Sequence, residues 1–288
     1  MRRKITFIIL ILCAVLLCAA CGGDKTPSAG TTRTPKQSTP APTAVPATPT
    51  PTETPVPTAT PTPTEVPPTP TEVPVTPTPP IDAGKYGYSV QEVLDYYVEV
   101  GMSSEFSNGN RIDYVRKWDR TVLVFVDGSP TAEDLNLMYR LFDALNEVDG
   151  FPGIRTCSDR DEATLIIRFL GPDKFYAYVM SAIGDPNSDG YSLIWFSDGI
   201  ITRGEIGILT TLTQVNRNHV ILEEIVQALG LQNDSYRYPD SLFYQGYNEP
   251  QWLTDMDWLV FRFLYRPEMI PLMKYEDVRN LAFKLIRE

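Results

Sequence analysis

Apolar side chains recur at helical and strand spacings only in the second part of the chain, from about residue 82 onward. Ser89 and Glu92 have the spacing of a capping box, which predicts a helix that begins at Val90. A second helix is predicted to begin near Thr131. Runs of β-forming residues predict strands at 121–126, 164–170, 191–196 and 200–209. Further helices are predicted at 173–183, 214–231, 254–265 and 275–287.

The order of these elements predicts the fold class. Strands alternate with helices up to about residue 209, and the rest of the chain is mostly helical. This order is typical of an α/β (α+β) domain, in which a mixed sheet packs against helices and is followed by a helical C-terminal subdomain. We therefore expect one globular domain over residues 82–288, which is long enough to bury a sizeable core.

The preceding part of the chain has a different composition. Eighteen of the 26 prolines lie before residue 81, and no aromatic residue occurs between Phe7 and Tyr86. Such a segment cannot build a core, and frequent proline favours extended polyproline-like chain. Residues 21–81 are therefore predicted to be a disordered Pro/Thr-rich tether.

The first twenty residues resemble an export signal. Arg2, Arg3 and Lys4 precede an apolar run that ends in Leu17-Cys18-Ala19-Ala20-Cys21. This ending resembles the lipobox of bacterial lipoproteins, although the family prefers leucine where Cys18 stands. The resemblance implies that residues 1–20 are removed and that Cys21 carries palmitate and other lipid. The alternatives are an uncleaved anchor and an ordinary signal peptide. Each predicts a domain outside the cytoplasm, and the lipobox predicts attachment to the cell membrane.

Charge and residue counts exclude several functions. Residues 82–288 carry 19 basic and 32 acidic side chains, a net charge of −13, which argues against a nucleic-acid partner. The single histidine, His219, excludes a zinc site of the HExxH type. Cys157 is the only cysteine after Cys21, and we expect it to be a small core residue, with a reactive thiol as the alternative. Residues Asp185 to Asp189 resemble half of a calcium loop, and the sequence leaves calcium binding there open.

One helix carries the most informative pattern. Residues 222–234 read Leu-Glu-Glu-Ile-Val-Gln-Ala-Leu-Gly-Leu-Gln-Asn-Asp, which resembles the metzincin metallopeptidase pattern HExxHxxGxxH. In that pattern Glu223, Gln227 and Asn233 occupy the three ligand positions, and Glu224 occupies the general-base position. Residues 240–244 resemble the metzincin Met-turn, with phenylalanine in place of methionine.

A closer resemblance is to a bacterial family of lipoproteins whose function is uncharacterised. The motifs that carry it are Glu-Glu-x-x-Gln-x-Leu-Gly-Leu-x-Asn-Asp-Ser at 223–235, Ser-x-Phe at 241–243, Leu-Thr-x-x-Asp at 253–257 and Leu-Tyr at 264–265. This resemblance implies a metzincin-like fold without its metal ligands, and it implies no activity.

The chemistry of the ligand positions favours binding over catalysis. Glu223, Gln227 and Asn233 offer one carboxylate and two neutral amides, which suit zinc poorly, so we expect no metal and no cofactor. Without a metal, Glu224 has no activated water to deprotonate, and we expect these four residues to form a buried polar cluster. The leading hypothesis is a lipid-anchored, non-catalytic pseudo-metallopeptidase domain that binds a peptide or an envelope protein. The alternative is an active hydrolase with an oxygen-liganded metal.

Overall fold

The computed structural model describes residues 78–102, 113–182 and 188–288. The predicted signal sequence, Cys21, most of the predicted tether and residues 185–187 of the calcium-like loop lie outside the described residues. The helices are α1 (Val90–Tyr97), α2 (Ala132–Asn146), α3 (Pro172–Ala182), α4 (Gln214–Ala228), α5 (Asp255–Leu264) and α6 (Tyr275–Leu285). The strands are β1 (Ile81–Asp82), β2 (Val122–Gly128), β3 (Ile154–Thr156), β4 (Leu165–Leu170), β5 (Gly190–Ser197), β6 (Ile200–Leu209) and β7 (Ile286–Arg287).

Five strands form a mixed sheet in the order β3-β2-β4-β6-β5. The three pairs β2–β3, β2–β4 and β4–β6 are parallel, and β5 runs antiparallel to β6 at one edge. The two short strands β1 and β7 form a separate parallel pair. The mixed sheet, the flanking helices and the helical C-terminal part confirm the α+β class that the sequence predicts.

The sheet separates two groups of buried side chains. On one face, α3 packs its side chains against β5 and β6 through Phe175, Val179, Tyr191, Leu193 and Leu209. The larger core lies on the other face and includes buried residues of α1, α2, α4, α5 and α6. Helix α4 packs directly against β5 and β6, so it lies beneath the antiparallel edge of the sheet.

Local sequence explains where several elements begin and turn. Complete capping boxes begin α1, α2 and α5, with Ser89, Thr131 and Thr254 as the capping residues. Strands β5 and β6 are joined by Asp198 and Gly199, whose φ angles are 52° and 74°. Positive φ at both central residues is the geometry of the tight hairpin turns that match the twist of the strands.

Four local predictions need correction. The helix predicted over 214–231 ends at Ala228, and the helix predicted over 275–287 ends at Leu285 because the next two residues pair with β1. Strand β3 was not predicted, since its three residues are too few to show a period. Cys157, expected in the core, is only half-buried, and its thiol donates to the Asp159 carbonyl at 3.3 Å.

Residues just before β1 contact the domain through Arg266. The Arg266 guanidinium is buried and donates to the carbonyls of Pro79, at 2.7 Å, and Thr78, at 3.1 Å. The same group also pairs with Glu268. The end of the segment that the sequence assigns to the tether is therefore held against the C-terminal end of α5.

Candidate functional site

Helix α4 carries Glu223, Glu224 and Gln227, three of the four residues of the metzincin-like pattern. The sequence of the helix explains where the helix lies. Thr213 caps its N-terminus by accepting from the Asn216 backbone N–H. Arg217 then donates to Asp134 of α2 at 2.8 Å and to the Thr210 carbonyl at the end of β6. Burial alone would raise the pKa of Asp134, but the hydrogen bonds from Arg217, Thr131 and Gln214 outweigh it and leave this pKa below its usual range.

The C-terminal end of α4 is held by two aromatic side chains. Trp118 Nε1 donates to the Ala228 carbonyl at 3.0 Å, and the Tyr265 hydroxyl donates to the Leu229 carbonyl at 2.7 Å. These bonds satisfy carbonyls that the end of a helix leaves without partners. The Leu-Tyr motif at 264–265 therefore has a structural role, which is to fix the end of α4.

Glu224 lies between α4 and the start of β5. A Cβ atom on Gly190 would stand 2.7 Å from Glu224 Oε1 and 2.4 Å from Val220 Cγ1. Such distances are too short for any side chain, so only glycine allows this strand to approach the helix. Glu224 itself is almost completely buried. The structure thus places the predicted general-base position beneath the edge strand of the sheet.

Glu223 pairs with the single histidine of the chain. His219 Nε2 and Glu223 Oε2 are 3.3 Å apart, one helical turn from each other, and both side chains are buried. His219 Nδ1 has no hydrogen-bond partner in the described part of the chain. The first ligand position of the metzincin-like pattern is therefore engaged by an imidazole of its own helix.

Gln227 and Asn233 make contacts with two different neighbours. Gln227 Nε2 donates to Asp234 Oδ1 at 3.0 Å, whereas Asn233 Nδ2 donates to the Glu99 carbonyl at 3.0 Å. Gly230, with a φ angle of 119°, makes the turn that returns the chain towards Gln227. The turn that the pattern requires is present, but it brings Asp234, and not Asn233, into a hydrogen bond with Gln227.

The other motifs of the resemblance meet in one buried hydrogen-bond network. The Ser241 hydroxyl donates to Asp257 Oδ1 at 2.6 Å and accepts from the Phe243 backbone N–H. Asp257 also accepts from the backbone N–H groups of Leu242 and Thr254. The carboxylate thereby caps α5 and fixes the loop that resembles the Met-turn. These motif residues are structural.

The outer edge of β5 lies next to Glu224 and carries backbone groups that do not pair with β6. The Leu209 backbone N–H donates to the Asp189 carbonyl, which sets the alternation of the antiparallel pair. By that alternation the backbone groups of Ser192 and Ile194 point away from β6. Among the described residues no strand pairs with this side of β5. Ser192 and Ile194 are only 1% and 2% exposed, so the edge is recessed and not a projecting ribbon.

Ser192 adds a polar group to the cluster that the sequence does not reveal. It lies two residues after Gly190, so its side chain shares the α4-facing side of the strand. Its hydroxyl is buried and has no hydrogen-bond partner among the residues described. The Oε1 atom of Gln227 is also buried and also has no hydrogen-bond partner among the described residues. Sequence reasoning missed Ser192, Asp234 and the His219 pair, because their roles depend on contacts between elements.

The chemistry available to these residues is hydrogen bonding. Within the described ranges, no three His, Cys, Asp or Glu side chains stand close enough together to hold a metal ion. The four predicted site residues are dispersed among a histidine–carboxylate pair, a helix–strand contact and two separate hydrogen bonds donated by side-chain amides. The arrangement can recognise polar groups of a ligand near the start of β5.

No helix in the described part of the chain combines the length and the apolar character needed to cross a membrane.

The fold and these contacts define a class of protein: a mixed α+β domain with a buried polar cluster between a helix and the edge strand of its sheet. A family model described as "Protein of unknown function (DUF2927)" matches residues 90–282. The chain therefore belongs to this family. The match extends from the start of α1 into α6, so it includes the cluster and the edge strand. A search of curated proteins finds no match to the chain.

Proposed function

We propose that this protein is a lipid-anchored, extracytoplasmic binding protein whose domain holds an extended segment of a partner along the outer edge of β5. The observation that carries the proposal is the unpaired side of β5 next to Glu224. Backbone groups on the edge of a sheet bind an extended peptide by main-chain hydrogen bonds, and nearby side chains then select it. The domain acts without catalysis.

The surroundings of the edge support this mode of binding. Gly190 brings the strand unusually close to α4, which leaves Glu224 and Ser192 beneath the path of an added strand. Both faces of β5 are covered, by α3 on one side and α4 on the other, so only the edge remains for pairing. A partner of the cell envelope, either a peptide or a protein with an extended segment, fits such an edge.

The N-terminal sequence supports the location. The lipobox-like ending at Cys21 and the Pro/Thr-rich segment after it are the features of a domain held at a distance from a membrane. In this proposal the lipid holds the protein at the cell membrane, and the tether allows the domain to reach its partner.

A proline substitution tests the edge directly. The backbone N–H of Ser192 points away from β6, so Ser192→Pro removes a donor from the outer edge without removing a bond to β6. Ser192→Ala is the matched control, because it removes the hydroxyl and keeps the edge N–H. Both variants are expressed with a photo-crosslinking amino acid at position 197, the exposed end of β5, and captured partners are identified after irradiation of native membranes.

Strand addition predicts that Ser192→Pro loses capture at least tenfold, whereas Ser192→Ala, which loses only the hydroxyl and keeps the edge N–H, loses much less. Melting curves show whether both variants are folded. Equal capture by the two folded variants would show that no strand is added at this edge. Glu224→Ala serves as a second test: unchanged melting with lost capture would make Glu224 a contact residue of the partner.

A further inference from the structure

Arg116 is a buried cation whose position is fixed by its neighbours on the chain. The Val115 backbone N–H donates to the Met273 carbonyl, and the Lys117 backbone N–H donates to the Gly199 carbonyl. These bonds hold the segment between the C-terminal part and the β5–β6 hairpin. The Arg116 side chain is 0% exposed.

The guanidinium of Arg116 makes no hydrogen bond to the described residues through any of its three nitrogens. Its neighbour Lys117 shows the usual behaviour, since its ammonium donates to the carbonyls of Leu264, Arg266 and Met269. Burial lowers the pKa of Arg116 to about 10. An aromatic face provides some compensation, because the Phe196 ring centroid lies 5.4 Å from the guanidinium carbon.

Two further polar groups without partners lie in the same region. The Tyr97 hydroxyl is buried and has no partner among the described residues, and it stands close enough to Arg116 for the two groups to affect each other's pKa. The Gln232 amide is buried and likewise without a described partner. Gln232 lies on the short segment between Gly230 and Asn233. A Cβ on Gly230 would stand 2.8 Å from the Arg116 carbonyl oxygen, and the Asn233 backbone N–H donates to the Val100 carbonyl.

These groups are rich in donors, and the described residues of the region provide no anion to receive them. A guanidinium carries five N–H donors and no acceptor, and a hydroxyl adds another donor. An isolated buried charge is strongly unfavourable unless an opposite charge or good acceptors accompany it. The planar fork of arginine matches the two oxygens of a carboxylate, as it also matches those of a phosphate, and a carboxylate is the smaller group and carries the lower charge.

We propose that Arg116 and the Tyr97 hydroxyl form a buried binding site for a small anion with a carboxylate group. The Arg116 guanidinium binds both carboxylate oxygens, and the tyrosine hydroxyl donates to one of them. The site is separate from the Glu224 cluster, and it does not depend on the proposed function.

Thermal unfolding of the full-length chain in detergent tests the site. A bulky sulfonate buffer anion is replaced by formate, acetate or chloride at constant ionic strength. Formate and acetate are expected to raise Tm by about 5 °C when they are well above their Kd. The shift is expected to vanish in Arg116→Met and to weaken in Tyr97→Phe, which retains the ring. Arg120→Met, which changes an exposed arginine of the same segment, keeps the full shift.

Three results would overturn the proposal. The first is a wild-type Tm that is the same in all the salts, and the second is a shift with chloride alone. The third concerns Glu105, the one acidic residue of the segment 103–112, which lies outside the described residues. If Glu105→Gln gains a carboxylate-dependent shift that the wild type lacks, the chain supplies its own carboxylate to Arg116. Tyr97→Phe keeps the test decisive even if Arg116→Met fails to fold.

Discussion

Replacing Asp257 by alanine should destabilise the domain more than any other change to the motif residues. The Asp257 carboxylate is fully buried and accepts three hydrogen bonds. They come from the Ser241 hydroxyl at 2.6 Å, the Thr254 backbone N–H at 2.9 Å and the Leu242 backbone N–H at 3.2 Å. Ser241 in turn lies 2.5 Å from the Tyr96 hydroxyl, so the network extends to α1. Alanine would remove the acceptor of the buried Leu242 N–H and of the half-buried Thr254 N–H, and it would leave the Ser241 hydroxyl with only the Tyr96 hydroxyl to receive it.

The expected magnitude follows from these contacts. Each buried donor that loses its partner costs about 1–3 kcal/mol, and the loss of a capping side chain costs about 1 kcal/mol. The three donors belong to one network and can relax together, so their costs do not add fully. We expect Asp257→Ala to lower the free energy of unfolding by about 3–5 kcal/mol. This is a large share of the ~5–15 kcal/mol that stabilises a typical domain.

Asp255→Ala is the matched control, because Asp255 is an exposed acidic residue in the same first turn of α5. Its loss removes a favourable charge at the helix N-terminus, which is worth about 0.3–1 kcal/mol. Urea unfolding followed by circular dichroism measures both variants, and a slope of ~2 kcal/mol per molar would give Asp257→Ala a midpoint about 2 M lower. If Asp257→Ala loses no more stability than Asp255→Ala, the carboxylate does not hold this network together.

Three shorter predictions address pH, anchoring and the metal pattern. Asp134→Asn should lower the free energy of unfolding by ~2–4 kcal/mol at pH 7, because it leaves a buried guanidinium without its counter-charge. Since the folded pKa of Asp134 lies below its usual range, this difference should shrink as the pH falls below about 4, which unfolding curves across pH will show. Cys21→Ala should release the protein from membranes or block its maturation, and full retention after high-salt and carbonate washes would contradict the lipid anchor. Histidine at all of the pattern positions tests the metzincin-like geometry by elemental analysis: because Asn233 bonds to Glu99 while Gln227 bonds to Asp234, we expect less than one equivalent of zinc, and stoichiometric zinc in a folded variant would show that the three positions converge. These positions are Glu223, Gln227 and Asn233.

The fold could be predicted from the sequence because its signals are local. The capping box at Ser89 and the helix start near Thr131 each depend on neighbouring residues, and each occurs where the sequence predicts it. The errors occur where distant residues decide the structure. The strand at 286–287 exists because residues 81–82, about two hundred positions earlier, pair with it.

The candidate site was less predictable for the same reason. Helical spacing shows that Glu223 and Gln227 share a face, but it does not show that Glu223 meets His219 while Gln227 meets Asp234. The position of Glu224 beneath the sheet depends on Gly190, which has no distinguishing mark in the sequence. These roles become visible only when the strand and the helix are placed side by side.

The distribution of satisfied polar groups separates structural residues from candidate binding residues. Three motif residues that follow Gly230 make hydrogen bonds that stabilise the fold. Ser241 donates to Asp257, and the Tyr265 hydroxyl donates to the Leu229 carbonyl at the end of α4. Among the buried groups that lack described partners, Ser192 lies on the β5 edge and Arg116 lies near the far end of that strand. A folded domain leaves few buried polar groups without partners, and those it leaves call for a physical explanation. The motifs that carry the resemblance therefore record how this domain is built, and the binding that we propose is to be tested along β5.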